Sequence, residues 1–277
     1  MPLPSPKFKV QRFSTWQAFR EVIESDEYKG WAFRGQSNAD WPLYSSLSRY
    51  LMGFRVHPKA WSQQEFRILR IFKRKAHLLL NHLPDDEDVF QWLALMQHHG
   101  APTRLLDFSW SPYVATFFAI ERATSDVAVW ALFPPGLSNR PMRTLRASQK
   151  VRRAEVAPWV EGSYVRHFLP NKHRLVVVGE PHTMNQRLIA QSGTFVMPGV
   201  LQQPIEALAP PSAVVKFVID TEAIRRRAMP ELYQMNVSNA TLFPGLDGLA
   251  RSLAYELEFH WAFDPHTMKK RKGFYVK

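Results

Sequence analysis

The chain has 277 residues, 45% of them hydrophobic and 22% charged, with 19 Phe and 9 Trp, a composition that supports a buried core and excludes a disordered chain. It contains no cysteine, which excludes disulfides, thiolate zinc sites and a cysteine nucleophile. The formal net charge of +12 favours an anionic partner such as nucleic acid, a nucleotide or an acidic protein, while the same charge also serves solubility.

The opening residues "MPLPSPKFKV" carry no apolar run, and no stretch of about 18 uncharged apolar residues occurs along the chain. The expectation is therefore a cytoplasmic protein with no membrane partner. In "STWQAFREVIESDEYKGWAFRGQ", Ser14 or Thr15 caps a helix whose apolar side is Trp16, Phe19, Val22 and Ile23 and which stops near Gly30. A short strand follows from Trp31 to Arg34. Next, "SQQEFRILRIFKRKAHLLLNHLP" sets Ser62 and Glu65 at capping-box spacing, with Phe66, Leu69, Phe72, Ala76 and Leu79 at helical intervals and Pro84 beyond the end. A third helix is expected from Asp88 to His99, closed by Gly100 and Pro102, and a fourth in "SPYVATFFAIERA", capped by Ser111 with Pro112 at its first position.

The pattern then turns to strand in the β-branched and aromatic runs at 127–133, 174–180, 193–199 and 213–220. Two helices close the chain, in "TEAIRRRAMPELYQM" and "DGLARSLAYELEFHWAF". Helices first and strands later, without regular alternation, predict an α+β fold: a single domain with N-terminal helices and a later mixed or antiparallel sheet. That domain is expected to span 1–277, with a recognisable core at about 15–253 and a C-terminal helix and basic tail over 254–277. The irregular basic segment 139–171 reads as a flexible insertion, and "KKRKGFYVK" as a solvated end.

No phosphate loop, dinucleotide fingerprint, nucleophile elbow or His-Glu-x-x-His helix is present. His98 and His99 diverge by about 100° on a helix and cannot share a metal through that segment, so no metal is expected. The stretch "LMQHHGAPTRLLDFSWSP" nevertheless gathers Gln97, His98, His99, Thr103, Arg104, Asp107 and Ser109 where a core helix ends. It reads as one wall of a nucleotide-sized pocket with Arg34 opposite. The alternatives are an Arg104–Asp107 structural ion pair and helix-end roles for the histidines.

The segments "WAFRGQSNADWPLYSSLSR", "LALMQHHGAPTRLLDFSWSPYVATFFA", and "NQRLIAQSGTFVMP" through "TLFPGLDGLARSL" together resemble the FRG domain family, named for its Phe/Tyr-Arg-Gly motif. A looser resemblance links the chain to ADP-ribosyltransferases of the Arg-Ser-Glu type. "AFRG" is similar to their first element and "LDFSWSPYVATFFA" to their strand and helix. "QSGTFVMPG" is similar to their late strand, with Gln191 and Ser192 where a Glu is usual.

The resemblance implies an ADP-ribosyltransferase-like core that takes NAD as substrate, needs no metal and transfers ADP-ribose to a macromolecule in a toxin or phage-defence setting. The implied partners are a DNA or RNA target and an antitoxin or regulatory protein. Arg34 would grip the pyrophosphate with the two-pronged bonds a guanidinium makes to phosphate. Gly35, Gln36, His98, His99, Thr103, Arg104 and Asp107 would line the nucleotide, and Ser109 would brace the site. Cleavage of the nicotinamide bond develops oxocarbenium character, which Gln191, a neutral amide, or Glu256 would have to meet. Glu256 and Glu258 lie about 200° apart on a helix, so only one faces a given pocket. Two rivals are a nucleotide or nucleic-acid binding module without catalysis, and a metal-independent nuclease or hydrolase with His98 or His99 as base.

Overall fold

A computed structural model describes residues 8–137, 156–258, 260 and 262–270. The described strands are β1 (Lys9–Phe13), β2 (Ala32–Gln36), β3 (Leu106–Ser109), β4 (Val127–Leu132), β5 (Val176–Gly179), β6 (Gly193–Pro198) and β7 (Val214–Ile219). They form one sheet in the order β1-β7-β4-β2-β3-β6-β5, parallel only between β1 and β7. The principal helices are α1 (Trp16–Ile23), α2 (Ser46–Gly53), α3 (Trp61–Ala76), α4 (Val89–His98), α5 (Pro112–Ile120), α6 (Gln186–Ala190), α7 (Thr221–Gln234), α8 (Asn239–Leu242) and α9 (Leu246–Glu258). The α+β expectation holds.

Both faces of the sheet are covered, which is why β4 and β6 read as continuous apolar runs rather than alternating ones. On one face Phe33, Val129 and Phe217 meet Trp16 and Phe19 of α1, Phe117 and Ile120 of α5, and Ile224 and Leu232 of α7. On the other face Ala32, Trp130 and Val196 pack with Leu43 and Leu208. A further cluster joins Phe195 and Met197 to Leu69 of α3 and to Phe90 and Leu93 of α4.

Several caps follow the sequence. Thr15 accepts from Ala18 N (3.3 Å), Asp88 from Gln91 N (3.0 Å) and Ser111 from Val114 N (3.3 Å). The Ser62–Glu65 capping box does not form. Helix α3 begins at Trp61, one residue before Ser62, so its N-cap is Ala60, which has no side-chain acceptor, and Glu65 is drawn inward to Arg104. The order of helices before strands is also corrected: β1, β2 and β3 lie in the first half, interleaved with helices. β1 is a largely exposed edge strand, so it lacks the apolar alternation that would announce it. Nor is 156–171 a loose insertion. Val156, Tyr164 and Phe168 are buried in the cluster that holds α4, and 164–168 forms a π-helical turn. The remainder of that basic segment, 139–155, and residues 271–277 of the tail lie outside the described residues.

Helix α5 lies directly on β2, and Gly35 makes this possible. A Cβ built there falls 2.0 Å from Ala115 O and 2.6 Å from Ala119 N, both backbone atoms that cannot swing away. Gly35→Ala is expected to lower stability by about 1–3 kcal/mol or more through overpacking, measured by urea denaturation. An unchanged midpoint would show that α5 does not sit as described.

Candidate functional site: an arginine-lined cleft where the sheet splits

Strands β2 and β3 pair through one residue pair only, Phe33 with Ser109. Beyond that pair the two strands part, and the gap is a cavity of about 190 Å³ lined by Phe33, Arg34, Gly35, Asp107, Ser109, Phe118, Arg187 and Gln191, among others. Of the residues singled out in the sequence, Arg34, Gly35, Asp107, Ser109 and Gln191 line this one cavity.

Where the β2–β3 ladder stops, the carbonyl of Asp107 accepts from Arg34 Nη1 at 2.6 Å. The Arg34 Nε is buried and has no hydrogen-bond partner among the described residues. Burial lowers the pKa of Arg34, Asp107 opposes that shift, and the positive charge of Arg49 adds to it. Arg187, at the start of α6, shows the same pattern: burial lowers it, Asp107 raises it and Arg251 lowers it. Arg187 and Arg251 share the ring of Phe243, at 4.7 Å and 5.1 Å from its centroid. Both cleft arginines remain cationic at neutral pH, and Asp107 is the one carboxylate lining the cavity among the described residues. The cleft therefore holds more positive than negative charge in a poorly solvated place, an arrangement that an anion would relieve.

The other polar groups position these. Asp107 Oδ2 accepts from Gln97 Nε2 (3.0 Å), and Gln97 Oε1 accepts from Thr103 Oγ1 (2.6 Å). Thr103 is itself buried and acts through Gln97 rather than lining the cavity. Ser109 Oγ donates to Gln191 O (2.7 Å) and accepts from Ser111 N (2.9 Å), tying β3 to the end of α6 and to the cap of α5. The Gln191 amide donates to Leu242 O (3.0 Å).

Five further residues singled out in the sequence stand elsewhere. Arg104 is fully buried and pairs with Glu65, so the Arg104–Asp107 ion pair is corrected: β3 exposes Asp107 while Arg104 turns into the core. Gln36 sits on the opposite side of β2 from Gly35, where its Oε1 accepts from Trp130 Nε1 at 2.7 Å. Glu256 is exposed on α9 and accepts from Tyr233 OH (2.7 Å), outside the cavity lining. Glu258 pairs with Arg225. His99 is exposed as the C-cap of α4.

His98 lies close enough to Arg187 to feel its charge, although it does not line the cavity. Burial first, then His99 and Arg187, hold its pKa below the ordinary value. The unfolded chain thus binds this proton more readily than the folded one, so stability falls as pH drops below about 6.5. His98→Gln is expected to flatten that part of the pH–stability curve, read by denaturant titrations above and below the window. An unchanged acid slope would show that His98 does not carry this pH dependence.

Arg187 and Phe118 were not legible beforehand. A single arginine in a five-residue helix carries no pattern, and only the fold brings it opposite Arg34. Among the described residues no group of three or more His, Asp or Glu is placed to hold a metal, and no helix is long and apolar enough to cross a membrane.

One protein-family model, that of the FRG domain, matches residues 29–127. The matched span holds Arg34, Gly35, Asp107, Ser109 and α5, whereas Arg187 and Gln191 come from outside it. No curated protein and no solved structure matches the chain.

Proposed function

The chain carries an FRG domain over residues 29–127, and from that premise we propose that the cleft between β2 and β3 binds the phosphates of a nucleotide, with NAD as substrate of an ADP-ribosyl transfer to a macromolecule. The observation that carries this reading is Arg34: a partly buried guanidinium lining the cleft, held by one carbonyl and with a buried Nε free of any partner among the described residues. Phosphate oxygens would complete its donors, and Arg187 would take the second charge of a pyrophosphate. About 190 Å³ is small beside the volume of a whole-ligand pocket, so only one end of the dinucleotide enters, with the adenosine end outside.

In this reading Asp107 takes the part expected of the late-strand glutamate. Its carboxylate faces the oxocarbenium that forms as the ribose–nicotinamide bond breaks and its electron pair leaves with nicotinamide. The acceptor's nucleophile then bonds to the ribose carbon and gives up its proton to the carboxylate. Ser109 is a positioning residue, because its hydroxyl is already engaged on both sides. A second reading, nucleotide binding without turnover, is favoured by the neutral Gln191 amide and by the engagement of Asp107 with Gln97.

Incubation with labelled NAD and, separately, DNA, RNA and cell lysate tests both. Transfer of label together with nicotinamide release is the expected result. Saturable NAD binding without release would establish the second reading, and no engagement of NAD would overturn the first and leave the cleft to another phosphate compound.

A further inference from the structure

The segment from Trp41 to Gln64 contains no acidic residue and carries Arg49, Arg55, His57 and Lys59. Within it, Tyr50 and Phe54 are 52% and 73% exposed, large values for aromatic side chains. Their rings lie side by side, with centroids 5.6 Å apart and planes inclined by 37°. Tyr50 and Phe54 are four residues apart across the end of α2, so both project from one side of it.

The support beneath them is rigid. Phe54 N donates to Tyr50 O (2.9 Å), Val56 N to Leu51 O (2.9 Å) and Trp61 Nε1 to Val56 O (2.8 Å). Arg55 takes a left-handed φ of 54° to make this turn, while Leu51 and Trp61 are buried below it with Leu47 and Leu201. Two apolar rings are thus held in water, and the guanidiniums of Arg49 and Arg55, also exposed, form no ion pair among the described residues.

We propose that Tyr50 and Phe54 are a stacking platform for single-stranded nucleic acid, with Arg49 and Arg55 neutralising its phosphates. Unpaired bases stack on aromatic faces whatever their sequence, and a single-signed basic border follows the backbone. Duplex bases are already stacked on each other and leave the rings nothing to receive. The fixed turn lowers the ordering cost of binding.

Helix α2, which carries the platform, is tied to the wall of the cleft. Leu47 N and Ser46 Oγ both donate to Thr103 O (3.1 and 3.3 Å), and Thr103 reaches Asp107 through Gln97. The charge of Arg49 is felt at Arg34. A strand stacked there would lie beside the cleft as the acceptor of the transfer, and to that extent the inference rests on the reading of the cleft as an ADP-ribosyl transfer site. The test uses no NAD, so the two fail separately.

Fluorescence anisotropy of the full chain with labelled oligothymidine and oligouridine, over a salt series, decides it. The wild-type chain is expected to bind single strands at least about tenfold more tightly than a duplex of equal length. Tyr50→Ala with Phe54→Ala should weaken single-strand binding about tenfold or more, and Tyr50→Trp with Phe54→Trp should restore it. Arg49→Gln and Arg55→Gln should each reduce the dependence of log affinity on log salt by about 1. Because both rings are exposed, circular dichroism of the alanine pair should match wild type. Unchanged affinity in the alanine pair, equal affinity for duplex, or no binding of any oligonucleotide would overturn the proposal, the last leaving the surface to a protein partner.

Discussion

Glu65→Ala is expected to destabilise the protein by about 3–5 kcal/mol, the usual result of removing one member of a buried ion pair. Glu65 and Arg104 are 1% and 0% exposed. The guanidinium uses Nε on Glu65 Oε1 (2.6 Å), Nη2 on Glu65 Oε2 and Nη1 on Pro198 O (2.9 Å), and lies 5.5 Å from the Tyr164 ring centroid. Alanine leaves a full charge in the core with one carbonyl and one ring for company. The pair itself is not the source of net stability, since two desolvated ions offset most of their attraction. The double replacement Glu65→Leu with Arg104→Met should therefore recover most of the loss. Urea denaturation of the two variants measures both effects. A single variant within about 1 kcal/mol of wild type would contradict the buried pair. This bond also ties α3 to the residue two before β3 and to the end of β6, so the strand carrying Asp107 should loosen with it.

Arg34→Gln should act in the opposite sense on stability and on binding. Hydrogen bonds to a charged partner contribute about 1.5–3 kcal/mol each, so loss of the guanidinium is expected to weaken nucleotide affinity about ten- to a hundredfold. Stability should stay within about 1 kcal/mol of wild type or rise, because the lost bond to Asp107 O is offset by removal of a desolvated cation. Arg34→Lys keeps the charge without the planar fork and should restore only part of the affinity. The combination of retained fold and lost binding marks a residue kept for function at a cost to stability. A folded Arg34→Gln protein with unaltered NAD affinity would remove Arg34 from the site.

How much of this was legible in the sequence depended on the range of the interaction. The helices around Phe19, Leu69, Phe90 and Phe117 were readable because local periodicity and the caps Thr15, Asp88 and Ser111 lie within a few residues of what they govern. β1 was missed because its partner β7 is some two hundred residues away and its own residues are mostly exposed. The Ser62–Glu65 capping box failed for a related reason, since the helix begins one residue before Ser62 and Glu65 answers a buried charge 39 positions along the chain. At the cleft, Arg34, Asp107, Ser109 and Gln191 could be proposed from motif order, whereas their roles could not. Asp107 faces the cleft because strand alternation sets it between the buried Leu106 and Phe108, and Arg104, three residues earlier, turns into the core. Arg187 gave no signal at all; it becomes visible only when the ends of β2, β3 and α6 are placed together.

The most direct test of the central claim is calorimetric titration of the wild-type chain with NAD at low ionic strength, repeated with pyrophosphate as competitor. Saturable one-site binding that pyrophosphate displaces and that weakens as salt rises is expected, because Arg34 and Arg187 hold the ligand through its phosphates. Absence of binding, or binding indifferent to pyrophosphate and to salt, would contradict it.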